Sequence, residues 1–142
     1  MNPYNTYARN QTESRLPGEN ISALFAKAAS HMHEASVAIE NMDINQRYES
    51  SQKAMVIMEG LLGCLNRDTP ERAEAAKTLE AYYKTMIFMI SRVNVFNDLE
   101  TSKSIEQSFR DMAIFWKKAT AQLVQQEDET FLPEVNAAGV HA

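Results

Sequence analysis

Three histidines, one cysteine and 19 carboxylates are the groups in this 142-residue chain that could bind a metal, move a proton or attack a carbon. A carboxylate-bridged two-metal centre in a helical bundle needs two Glu-x-x-His motifs and two further inward glutamates. None of His31, His33 and His141 has a glutamate three residues before it. His31 and Glu34 share a helical face, but His31 and His33 lie about 200° apart at helical pitch and cannot grip one ion together. No metal site is expected. Cys64 would need to meet a histidine across a core to act as a nucleophile, and no spacing favours that pair. Among apolar neighbours it reads as a buried structural thiol. The chain has no phosphate-cradling glycine loop, no Gly-x-Ser-x-Gly elbow and no paired carboxylates on an apolar face. Such a sequence reads as that of a non-enzyme, and no cofactor is expected.

Charge narrows the partners. The net charge is −5, and the 14 basic residues are scattered, with no block denser than Lys117-Lys118. A phosphate-binding domain usually carries a basic face, so no nucleic-acid role is expected. A single cysteine allows no internal disulfide and points to a reducing compartment. No run of about 18 apolar residues offers a membrane span, and the polar opening MNPYNTYARNQTESR lacks the apolar stretch of a secretory signal. A cytoplasmic protein without membrane insertion is expected.

The elements follow from periodicity. Hydrophobic content of 44% and charged content of 23% suit one globular domain, and four glycines and four prolines favour helices over a turn-rich β fold. Residues 1–18 read as an irregular arm punctuated by Pro3, Pro17 and Gly18, with Tyr4, Tyr7 and Leu16 as its sizeable apolar groups. A first helix from near Asn20 to Asn41–Asp43 carries one stripe: Ile21, Leu24, Ala28, Met32, Ala35, Ile39 and Met42. A second begins at Asp43–Asn45, where short polar side chains can cap it, and runs to about Asn66. Thr69 and Pro70 start a third, which ends near Asn94. Asn97-Asp98 can cap a fourth that continues to about Gln126 on the stripe Ile105, Phe109, Met112, Trp116, Ala119 and Leu123. Residues 127–142 are expected to be a disordered tail. Short connections force antiparallel neighbours, so residues 19–126 read as an all-α, up-down four-helix bundle with a short N-terminal capping segment.

The middle helices have more apolar surface than one core contact needs. The second pairs Tyr48, Ser51, Met55, Met58, Leu62 and Leu65 with a flanking stripe of Ala54, Ile57, Leu61 and Cys64. The third pairs Leu79, Tyr83, Met86, Ile90 and Val93 with Tyr82, Met89 and Phe96. Each apolar arc covers roughly half the circumference, against about 100° for an ordinary surface helix. The second stripes are expected to face outward as a groove, where flexible methionines suit a partner helix. Periodicity alone leaves open a tight bundle or a homodimer seam. Gly60 and Gly63 either permit a close backbone approach or leave the second helix less rigid.

The order of several segments resembles the flagellar secretion chaperone FliS family over about residues 3–120. These are Asn-Pro-Tyr-x-x-Tyr with Pro17-Gly18 after it; Ser51-Gln52-Lys53-Ala54 with Ile57, Leu61-Leu62 and Leu65-Asn66; Leu79-x-x-x-Tyr83-x-x-Met86 with Ile90 and Asn94; and Trp116. The resemblance implies a chaperone that binds the disordered C-terminal segment of flagellin, prevents premature polymerisation and aids delivery to the type III export apparatus. An export-gate component is a further partner it implies, with the free protein a monomer or weak homodimer. Carried over by position, Ala54, Ile57, Leu61, Tyr82 and Met89 become candidate partner contacts. Tyr4 and Tyr7 belong to the arm that covers part of the empty groove. Two departures stand out. Phe25-Ala26-Lys27 replaces the family's usual acidic Tyr-Asp-Gly, and the tail from Glu127 runs beyond the usual end. A homo-oligomeric structural or adaptor bundle with a different client is the alternative reading.

Overall fold

A computed structural model describes residues 16–139 of the chain, with side chains through Gln122. Four helices follow in order: α1 Gly18–Glu40, α2 Ile44–Gly63, α3 Pro70–Phe96 and α4 Leu99–Gly139. The starts are set by local chemistry. Asp43 accepts a hydrogen bond from the Gln46 amide at 3.0 Å, Thr69 from the Arg72 amide at 3.2 Å, and Asp98 from the Thr101 amide at 3.1 Å. Each satisfies one of the free N–H groups of a first helical turn. Pro70 opens α3, where its missing N–H costs no helical bond. Met42 and Asn97 take the left-handed conformation at the two tight turns, with φ of 58° and 53°.

The helices form an antiparallel up-down bundle. Ser22 donates to the Ala113 carbonyl while Ser36 pairs with Ser102, so α1 and α4 run in opposite directions. Ser51–Asn94, with Arg67 of the connection after α2 paired to Glu80, fixes the same relation between α2 and α3. The most extensive packing is of α1 against α4, then α1 against α2; the α3–α4 seam is the thinnest. One reason is the composition of α1, which buries Gly18, Ala28, Ala29, Ala35, Ser36 and Ala38 beside the larger Ile21, Phe25 and Met32. Small side chains let neighbouring backbones come close. Gly18 is the extreme case, because a Cβ there would collide with the Thr120 hydroxyl.

Bulk enters the core from Phe25 on α1 and from the other helices. Phe25 lies 6.1 Å from both Tyr82 and Tyr83 and 5.9 Å from Phe109, joining α1, α3 and α4 in one aromatic cluster. Such ring pairs contribute about 0.5–1.5 kcal/mol each beyond their area burial. Met58, Leu61, Leu79, Ile90, Ile105 and Trp116 complete the interior.

Three boundaries differ from expectation. α2 ends at Gly63, so Leu65 and Asn66 reach the interior from the connection instead of from a helix; glycines at 60 and 63 weaken that last turn. α3 runs two residues past Asn94. α4 continues to Gly139, beyond the expected end near Gln126. The apolar stripe ends with Leu123, but the Gln- and Glu-rich stretch after it still favours helical backbone, even though Pro133 removes one internal bond. Tyr4 and Tyr7 lie outside the described residues.

No atom lies within 4 Å of a Cβ built on Gly60, so this glycine serves no close approach. Gly60→Ala should stabilise the bundle by about 1 kcal/mol, the helix-propensity difference between the two residues. Urea unfolding followed by circular dichroism measures it, and a loss of stability would show that Gly60 is needed for its backbone freedom.

Candidate functional site

The apolar surface that the core does not consume lies along the seams between helices. Between α1 and α2 runs an open groove of about 900 Å³, walled by Leu24, Val56, Ile57 and Tyr48, with Lys27 and Lys53 among its polar edges. Between α1 and α4 runs a second, of about 690 Å³, lined by Ala23, Ala26, Ala113, Ile114 and the stem of Lys117. Val56 is 63% exposed and Ile114 52%. On α3, Phe88, Val95 and Phe96 are also exposed, and the Arg92 guanidinium covers the Phe96 ring at 5.0 Å.

At the N-terminal end of α1 the surface is closed. Leu16, just ahead of that helix, packs with Ile21, Leu61, Cys64, Leu65, Leu79 and Tyr83 around a void of about 10 Å³. Cys64 is half-buried here as the C-cap of α2, not a fully enclosed mid-helix thiol. The short approach to α1 thus covers apolar side chains of both α2 and α3.

The five candidate contacts on the helices do not share one cleft. Ala54 and Leu61 are core residues, at 0% and 3% exposure. Ile57 is half-buried and faces the α1/α2 groove. Tyr82 is half-buried, and its hydroxyl lies 2.7 Å from that of Ser108 on α4. Met89, seven residues on and also half-buried, occupies the same side of α3. Instead of a groove between α2 and α3, the two flanking stripes turn to opposite seams. Hydrophobic periodicity measures how wide an apolar arc is but not which neighbour each edge meets. Of the α1 walls, Ala23 and Ala26 add little to a hydrophobic pattern, and Leu24 belongs to the stripe expected to face the core.

Electrostatics give these grooves no reactive group. Hydrogen bonds from the Thr101 hydroxyl and amide hold the Asp98 carboxyl below its ordinary pKa, and a bond from Lys84 lowers that of Glu80. Both lie away from the grooves. His31 lines the α1/α2 groove with its Nδ1 3.7 Å from Glu34, while His33 pairs with Glu106 at 3.2 Å on α4. Among the described residues, no three His, Cys, Asp or Glu side chains come together as metal ligands. No helix among them is long and apolar enough to cross a membrane.

A complete core with open apolar seams defines a helical bundle of the protein-binding kind, with no reactive centre among its described groove residues. The family model for the flagellar protein FliS matches residues 1–123, and the chain belongs to that family. The flagellar secretion chaperone FliS of Bacillus subtilis (strain 168) is 30% identical over 119 residues, covering 84% of this chain and 86% of that protein. Its counterpart from Campylobacter jejuni (strain 81116) is 26% identical over 115 residues, covering 81% and 88%.

Burial separates fold from surface. Leu61→Asp should cost more than about 3 kcal/mol because it places a carboxylate in the core, whereas Val56→Asp should stay within about 0.5 kcal/mol. Urea unfolding of both variants checks this. Equal destabilisation would mean that Val56 is enclosed in solution.

Proposed function

We propose that this chain is a cytoplasmic flagellar secretion chaperone that holds the C-terminal segment of flagellin along its apolar seams. The segment is kept from polymerising before export and is handed to the export apparatus, with a gate component as the second partner. Family membership supports the chaperone role, and the relatives carry that name. A family of chaperones, not of enzymes, also supports a non-catalytic protein.

The observation that carries the reading is the α1/α2 groove of about 900 Å³ beside a core that is already complete. Client binding can then add apolar contact without taking any from the fold. A disordered segment that folds on contact loses ordering entropy as it binds. It therefore gains less affinity per unit area and stays releasable. Seams on several sides of the bundle suit a client that wraps around it, with Ile57 at one seam and Tyr82 and Met89 at another. Tyr4 and Tyr7 belong, in this reading, to an arm that competes with the client.

Calorimetry with the C-terminal segment of the host's flagellin should give a one-to-one complex. Ile57→Asp and Met89→Asp should each weaken it by about tenfold or more, a change of about 1.4 kcal/mol, while helicity is kept. Tyr7→Ala should shift the affinity as well. Absence of binding by the wild-type chain would overturn the reading. Full affinity in both aspartate variants would move the contact off these seams.

A further inference from the structure

α4 does not stop where its neighbour does. Thr120 lies beside Gly18, the first residue of α1, and the helix runs on to Gly139. At about 1.5 Å per residue, residues 121–139 carry it roughly 28 Å past that point. The family match ends at residue 123, so nearly all of this overhang lies outside it.

The overhang has a distinct composition. Glu127, Asp128, Glu129 and Glu134 are acidic, Phe131, Leu132 and Val135 are apolar, and no Lys or Arg follows Lys118. The α1/α2 groove has the complementary character. Its walls are apolar, and Lys27 and Lys53 outnumber Glu49 along it. Neither lysine makes an ion pair among the described residues. Lengths agree too: from Tyr48 to Ile57 the groove runs about 14 Å, and residues 127–135 span about 12 Å as helix.

We infer that the α1/α2 groove takes residues 127–135 of a second copy of this chain. The groove runs from Leu24 to His31 on the far side of Gly18 from the overhang, so a continuous α4 carries the acidic segment away from its own groove. Each copy offers one groove and one overhang, and reciprocal exchange closes as a two-fold pair. Association covers the groove at high concentration and frees it on dilution. Neither the groove chemistry nor the overhang chemistry depends on what client the protein carries.

Sedimentation velocity of the full chain, from micromolar to millimolar concentration and in low and high salt, tests the pairing. A monomer–dimer equilibrium weakened by salt is expected. Reversing the groove (Lys27→Glu with Lys53→Glu) should weaken dimerisation by about tenfold or more, as should reversing the overhang (Glu127→Lys, Asp128→Lys and Glu129→Lys). Combining both sets in one chain should restore it. Circular dichroism establishes that each variant is folded. A wild-type chain that stays monomeric throughout overturns the proposal. So does a dimer indifferent to both reversals, or folded variants whose combination fails to recover association.

Discussion

The close fit of α1 between α2 and α4 is the constraint on which the rest of the structure depends. Alanines and serines at 28, 29, 35, 36 and 38 are buried where a bundle helix more often places leucines. Between these small residues the core is filled by a few large rings, Phe25 of α1, Tyr83 of α3 and Phe109 and Trp116 of α4. The asymmetry explains the uneven seams. α1 is held tightly along its length, while the thin α3–α4 seam is crossed by the Tyr82–Ser108 hydrogen bond and bridged through Phe25 of α1.

Buried polar groups reinforce the register. Ser36 and Ser102 face each other at 2.8 Å, Ser102 also reaches the Met32 carbonyl, and Ser51 reaches Asn94 at 2.9 Å. A hydroxyl buried without a partner costs about 1–3 kcal/mol, so sliding one helix past another by a turn would break several such bonds at once. The bundle is therefore fixed from within, and its outer apolar surface can vary with the client without endangering the fold. Lys27 illustrates this freedom. It lies on the edge of an open groove, not in the core.

Much of the fold was legible in the residues. Asp43, Thr69-Pro70 and Asp98 mark three helix starts because each supplies a cap that the free amides need. The stripe of Ile105, Phe109 and Trp116 marks the inward face of α4. What could not be read was which neighbour each flank would meet. Alanine contributes little to a hydrophobic pattern, so the burial of Ala29, Ser36 and Ala38 on the side of the main α1 stripe was invisible. Ala54 and Leu61, carried over by position as partner contacts, are enclosed in the core. Ile57 is the one α2 candidate that faces an open groove.

The central claim is that apolar seams left over by a complete core are what a disordered client occupies. The heat-capacity change on binding the C-terminal segment of flagellin, from calorimetry at several temperatures, tests this most directly. Burial of apolar surface makes it negative, and coupled folding with binding corresponds to roughly 1,000–3,000 Å² buried. The account predicts a large negative value. A value near zero for a complex that does form would mean that polar contacts hold the client, contradicting the account.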